Sequence, residues 1–442
     1  MAQKLKFGNG TWATKKGSTL AYNDENNNYK PLPFTTTRNS IGTRVNKEGL
    51  IEVVGNDVPR IDYKDSSDGA LLLENSSTNL IPYSEDFSNA AWDLFRISVT
   101  TENYASPNGS STVKNIIADT SNNTHGIFDF VSASSGIYTS SAFFKANGYN
   151  FACVRISVDG DTKRFSAVID LTNGNVTITD ATGSPTSTSF SVNDYGNGWY
   201  RLSVSCSHSS GSVYLTISPS STSNPTFSSS LPSFLGDGTS GVLVFGAQLE
   251  QSSYPTSYIP TSGSTVQRAA DTASGAGNSE VFNSEQGILF ANIAALANDL
   301  TNRTIALSDG TTSNTVRIQY LTISNAIWAT VTNIGAGGNQ AILQYTSSDI
   351  TINSKISLKY KANDFSLWVN GFEVATDTSG VTFSANTLNT FQFDRGNGAE
   401  DFYGNTKQIQ YYNSALTYSE LEKISSWTSF SDMANAQQYT II

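Results

Sequence analysis

Between residues 136 and 250, seven segments alternate apolar and polar residues with a period of two, and turn signals separate them. The segments are 136–145, 149–158, 164–171, 175–179, 199–207, 212–219 and 241–250. Asp159-Gly160-Asp161, Asn173-Gly174, Asn197-Gly198 and Ser210-Gly211 stand between them. A period of two places alternate side chains on opposite faces of a strand, and spacings of about 8–12 residues between turns are those of a β-sandwich. Phe165, Ala167, Ile169 and Leu171 form one inward face, and Val213, Leu215 and Ile217 form another. No helix of ten or more residues competes here. The constraint is severe: this part of the chain folds as a jelly-roll-like sandwich or not at all.

A second set of alternating segments runs through 287–294, 303–308, 315–321, 326–332, 341–345, 355–360, 365–370, 372–375, 390–394 and 407–412. Asn370-Gly371 between two of them is a strong short-range hairpin signal. Thr417 with Glu420 three residues later reads as a capping box ahead of Leu421, Ile424 and Trp427, so one helix closes the chain. At 442 residues the chain exceeds one core. The expected division is an irregular docking segment over 1–80, a jelly roll over 81–271, a linker over 272–285 and a second sandwich over 286–442. The first segment holds Pro31, Pro33 and the run 23–29 (NDENNNY), and the linker is small, polar and Gly-bearing. The fold class is all-β, two sandwiches in series.

Composition removes several functions. Net charge is −11 and the isoelectric point near 4.7, which argues against phosphate-backbone binding, so no nucleic-acid partner is expected. Two histidines and two cysteines exclude zinc ribbons and His-rich catalytic metal sites. The thiols of Cys153 and Cys206 fall on opposite faces of their strands, which disfavours a disulfide. His125 and His208 sit in Asn/Ser-rich turns and read as solvated loop residues. Asp159 and Asp161, and the set Asp394, Asn397, Glu400 and Asp401, offer hard oxygen ligands but match no twelve-residue calcium loop, and turn carboxylates mostly cap their own backbone. No cofactor and no metal site are expected.

Catalysis is not expected either. A sandwich glucanase needs paired carboxylates about 5–5.5 Å apart on one strand face. Glu250, Glu373 and Glu400 have no acidic partner two residues away on a strand, and Glu420 and Glu422 fall on the predicted helix. The first eighteen residues carry lysines but no apolar run of a secretory signal, and no stretch reaches the roughly 20 apolar residues of a membrane helix. The expectation is a chain made in a cytoplasm, with no membrane insertion, assembled into a particle and released by lysis.

Four phrases, taken in order, resemble a recurrent family of bacteriophage virion proteins: FTTTRNSIGTRVNKEGLIEVVGNDVPRIDY (34–63), ALLLENSSTNLIPYSEDFSNAAW (70–92), NGWYRLSVS (197–205) and FGAQLEQSSYPTSYIPTSGSTVQRAAD (245–271). The resemblance implies a tail-fibre, head-fibre or decoration protein with a carbohydrate-binding-like jelly roll. Its expected partners are other virion proteins, host surface glycans and further copies of the chain, with a trimer favoured. Where that family often reads RAS-x-ATR, this chain has Arg38-Asn39-Ser40-Ile41-Gly42-Thr43-Arg44. The last domain resembles concanavalin A-like (laminin-G-like) lectin sandwiches through WVNG and the ending YYNSALTYSELEKI.

Glycan binding needs exposed aromatic faces for sugar C–H groups and polar side chains for hydroxyls. Ile327, Ala329 and Val331 point inward and turn Trp328 out; Phe365, Leu367 and Val369 do the same for Trp368. Trp328 and Trp368 are therefore the candidate glycan-binding residues, against the alternative that a subunit or the closing helix covers that face. Trp12, Trp92 and Trp199 belong to the N-terminal segment or the family-like phrases and are expected to be structural.

Overall fold

Gly136–Asn147 pairs antiparallel on one side with Tyr200–His208 and on the other with Gly241–Glu250. Around this trio a six-stranded sheet runs in the order Ile97–Glu102, Val113–Ala118, Gly241–Glu250, Gly136–Asn147, Tyr200–His208, Ser189–Asp194. A second six-stranded sheet has the order Asp93–Phe95, Gly126–Ser132, Ser212–Ser220, Phe151–Val158, Lys163–Asp170, Val176–Thr182. The alternation read from the sequence is the alternation observed: Phe165, Ala167, Ile169, Val213, Leu215 and Ile217 all enter one core with Leu202, Val204 and Val244. The chain is all-β and built of sandwiches, as its strand pattern requires.

This computed structural model describes residues 3–436 and 439–441. It divides into two units, one of residues 1–39, 55–75 and 270–442, the other of residues 40–54 and 76–269. The first unit is also a sandwich. One of its sheets runs Ile61–Asp62, Ala70–Leu73, Gly404–Tyr412, Gln286–Ala295, Ser354–Lys361, Phe365–Val369, Phe372–Asp377, with Gln3–Gly8 on the remaining part of Gly404–Tyr412. The other runs Ser18–Asn23, Lys30–Thr37, Thr272–Ala276, Thr390–Gln392, Arg303–Ser308, Asn314–Tyr320, Ala326–Asn333, Gly338–Thr346. Leu5, Phe7, Phe34, Leu71, Leu289, Ile318, Leu358 and Ile409 meet in its core.

Two expected boundaries differ from this. Segment 1–80 is not an irregular docking piece. It supplies strands of the sandwich that the C-terminal residues complete, and residues 40–54 and 76–80 belong to the other unit. Pro31 and Pro33 disguised the strand Lys30–Thr37; they stand exposed where only Ser18–Asn23 pairs with it, and Thr272–Ala276 joins further on, at Thr35–Thr37. A proline is tolerated in a strand where no second neighbour needs its missing N–H. The expected linker 272–285 is likewise structural. Thr272–Ala276 lies between two strands, and Ala273, Ala276 and Phe282 are core residues whose small neighbours look like linker composition.

Local signals held. Asn370 (φ 51°) and Gly371 (φ 91°) both take the left-handed conformation that a two-residue hairpin demands. Thr417 caps the helix Tyr418–Ser425: its side chain accepts from the Glu420 N–H, and Glu420 accepts from the Thr417 N–H at 2.9 Å. Thr417→Ala is expected to cost about 1 kcal/mol, the usual worth of such a cap. A urea melt of the variant checks this; no shift would mean that packing alone holds the helix.

A cluster of buried charges has no counterpart in the strand pattern. Arg38 Nη1 donates to Asp271 Oδ1 at 3.0 Å, and Arg60 Nη1 donates to Glu74 Oε2 at 2.6 Å. Arg60 Nη2 also donates to Asp271 Oδ2, as does the Glu74 N–H at 3.0 Å. Arg38 further donates to the carbonyls of Val58 (3.1 Å) and Gly55 (2.7 Å). All four side chains are almost wholly buried. Burial alone would lower the Arg60 pKa, but Asp271 and Glu74 beside it raise it above the ordinary range. Arg38, Glu74 and Asp271 each stand one residue from a point where the chain leaves or re-enters this unit. The cluster therefore ties the ends of three separate chain segments together.

Candidate functional site

Strand parity turns both candidate tryptophans outward, and the structure then treats them differently. Trp368 is 6% exposed, and it packs with Ile288, Tyr412, Leu416 and Leu421 beneath the closing helix. Its Nε1 donates to Ser366 Oγ at 3.2 Å, and Tyr418 meets its ring edge-on at 5.8 Å. Trp368, expected as a glycan-binding residue, is instead a core residue of the helix-to-sheet contact; its sheet face is outward but covered.

Trp328 is half-buried, on the outer face of Ala326–Asn333. Its cross-strand neighbours are Gln319 and Gln344. The next row on that face is Arg317, Thr330 and Ile342, and beyond Gln319 lies Thr304. Directly opposed and diagonal pairs on one face are about 4.5–8 Å apart, so these side chains form one continuous surface. Polar groups there are ordered in series. Thr330 Oγ1 donates to Gln319 Oε1 (3.4 Å), Gln319 Nε2 to Thr304 Oγ1 (3.3 Å), and Thr304 Oγ1 to Glu400 Oε2 (3.4 Å). Glu400 also holds Arg395 Nη1 at 2.8 Å. Thr304, Arg317, Gln319 and Thr330 are all buried although they point away from the core, so this part of the face is recessed. A half-open indole bordered by recessed amide, hydroxyl and guanidinium groups has the chemistry of a saccharide subsite.

The turn carboxylates are engaged locally. Asp159 accepts from the Ser209 and Ser210 N–H groups and pairs with Lys163, and Asp161 pairs with Arg164 through both oxygens. Asp394 accepts from the Gly396 and Gly398 N–H groups, and Asp401 from the Tyr403 hydroxyl. Among the described residues no group of three His, Cys, Asp or Glu is placed to hold a metal ion. Glu250 is fully buried, accepting from Ser77, Gln248 and Thr256.

The histidines are a correction: both are buried rather than solvated. His125 packs on Phe234 with centroids 4.6 Å apart and the rings tilted by 40°, and it faces Asp119 at 3.1 Å; burial pushes its pKa down. His208 Nδ1 accepts from the Asp159 N–H. Their turns read as loops in sequence, but distant segments cover them: Phe234 packs on His125, and Ala133, Tyr138 and Asp159 surround His208. Cys206 is in the core and Cys153 on the opposite face; both are free, and burial raises the Cys153 thiol to about 12 and the Cys206 thiol to about 11. Trp92 and Trp199 are buried with their Nε1 bonded to the Tyr83 and Ala105 carbonyls, and Trp12 bonds the Asp68 carbonyl.

Sequence reasoning missed an aromatic strip on the other unit. Phe130, 46% exposed, stacks on Tyr214 at 4.9 Å, and Phe128 and Phe95 continue the row. The signal was present, since the inward set Val213, Leu215 and Ile217 turns Tyr214 out. It also missed Arg317, Gln319 and Thr304, which only strand pairing brings beside Trp328.

No protein-family model matches the chain, and no curated protein matches it. Among solved structures, the CBM40 module of Ruminococcus gnavus IT-sialidase bound to α2,3-sialyllactose is similar over 35% of this chain and 94% of its own, at 16% identity and a TM-score of 0.29. Domains LG4–5 of the mouse laminin α1 chain are similar over 71% of this chain and 90% of their own, at 10% identity and a TM-score of 0.24. Trypanosoma rangeli sialidase is similar over 92% and 80%, at 11% identity and a TM-score of 0.26. Scores this low carry no conclusion about the site, which rests on its own residues.

Proposed function

We propose that this chain is a non-catalytic, glycan-binding structural protein of a bacteriophage particle, a fibre or decoration subunit that contacts host-surface saccharide through the Trp328 face. The observation that carries the binding role is the half-buried Trp328 ring on the outer sheet face, flanked by Gln319 and Gln344, with Thr304, Thr330 and Arg317 behind them. The four family-like phrases support the virion role and location. A non-catalytic role is supported by the strand carboxylate Glu250, whose oxygens are taken up inside the protein.

A glycan array probed with the intact chain and with Trp328→Ala tests the binding role. Loss of stacking should cost about 1 kcal/mol or more, a several-fold drop in affinity. Melting should move by only a few degrees, because the ring fills no core cavity. A parent chain that retains no glycan, or a variant that binds as well as the parent, would overturn the reading. Release of sugars from a bound polysaccharide would overturn the non-catalytic part. A purely architectural subunit is the second reading, favoured by the strip Phe128–Tyr214–Phe130, since exposed apolar rows commonly mark contacts with other protein chains.

A further inference from the structure

Arg317 points outward beside Trp328, yet it is only 6% exposed. Its guanidinium makes one hydrogen bond, Nη2 donating to Thr332 Oγ1 at 3.2 Å, and Thr332 Oγ1 in turn donates to Asn339. Its Nε is sealed from solvent with no partner among the described residues. Among the described residues no carboxylate forms an ion pair with it. The two charged groups facing it are Arg395 and Glu400, and Glu400 is already held by Arg395 at 2.8 Å. Arg395 Nε is a second buried donor without a partner, and Thr315 Oγ1, one row along the same face, is a third polar atom in that state. Two guanidinium groups, the buried Arg317 and Arg395 with its side chain 43% exposed, thus share one carboxylate in a chain whose net charge is −11.

Burying an unmatched cation is costly, and a guanidinium offers carboxylates a fixed fork of parallel donors. Burial, and the nearby Arg395, push the Arg317 pKa down to about 10 against the opposing pull of Glu400, so the group stays charged at neutral pH and lacks only its counter-ion. Trp328 lies one row away, within one sugar ring of Arg317. We infer that the Trp328 face takes a carboxylate-bearing sugar, the ring stacked on Trp328 and the carboxylate held by Arg317. The inference rests on the glycan-binding reading above and narrows it to acidic saccharides. Neutral Gln319, Gln344 and Thr330 serve the hydroxyls, and Glu400, fixed by Arg395 and Thr304, leaves Arg317 free for the ligand.

The test uses the full chain against immobilised galacturonate, glucuronate and N-acetylneuraminate oligosaccharides, each with its carboxyl-reduced counterpart. The parent should bind at least one acidic member and lose at least tenfold in affinity when its carboxylates become alcohols. Arg317→Gln should lose at least tenfold toward the acidic member, and Arg317→Lys, which keeps charge but not the fork, should fall between. Circular dichroism and melting on both variants identify any loss due to misfolding, and the parent's preference between acidic and reduced sugars stands independently of either variant. Equal binding of acidic and reduced sugars, with Trp328→Ala weakened and Arg317→Gln unchanged, would overturn the inference and keep the platform. No retention of any saccharide, neutral or acidic, would overturn the platform and this inference with it.

Discussion

Asp271→Asn is expected to destabilise the protein by about 3–5 kcal/mol, the range for removing one partner from a buried ion pair. Asp271 accepts from Arg38, Arg60 and the Glu74 N–H at once, and both arginines are wholly buried. An asparagine of the same shape cannot balance two guanidinium groups, so the cluster would keep both buried cations with one carboxylate fewer. The three segments tied at this point are remote in sequence: residues around 38, the stretch 57–74, and 271 onward. Loosening the cluster should therefore loosen strands at both ends of the first unit. The predicted observation is a large drop in the urea midpoint at unchanged slope, corresponding to roughly 10 °C in melting temperature for a unit of this size. Added salt should not reproduce the effect, because screening is weak for buried pairs. A loss under about 1 kcal/mol would mean that water reaches the cluster and that it is no clamp.

Trp368→Ala is expected to cost about 3–5 kcal/mol, as for other large-to-small changes at buried aromatic sites. The ring forms the floor on which Leu416 and Leu421 rest, and the helix above it has only eight residues. A helix that short does not hold in water without tertiary packing. Removing the indole should therefore release the helix as well as open a cavity, and proteolysis or amide exchange should rise first across 418–427. Glycan retention by the surviving folded fraction should match the parent. The contrast with Trp328→Ala is the point of the pair: one change should unfold without touching binding, the other should weaken binding without unfolding. A Trp368→Ala protein that melts with the parent and loses glycan would reverse the assignment.

Strands, their faces, the Asn370-Gly371 turn and the Thr417 cap were legible because each depends on residues close in the chain. Parity along Phe365–Val369 identified Trp368 as outward from its own strand alone, and the same rule applied to Trp328. Parity says which side of a sheet a residue takes. It says nothing about what lies over that side.

Everything that differed depends on partners far apart in sequence. Pro31 and Pro33 look like a loop until Ser18–Asn23 is placed beside them, and the small residues of 272–276 look like a linker until Thr272 meets Thr37. His125 and His208 lie in turns by composition and become buried when distant segments close over them. Arg38, Arg60, Glu74 and Asp271 are four ordinary charges in the chain and one neutral cluster in the fold. The sequence alone determined an all-β chain of sandwiches and the two tryptophans that leave their cores, because side-chain alternation is a property of the extended backbone. Only the tertiary structure decided that a helix covers Trp368, and that Arg317, Gln319 and Thr304 stand beside Trp328. Register across strands and burial by remote segments are set by long-range packing, which no local pattern encodes.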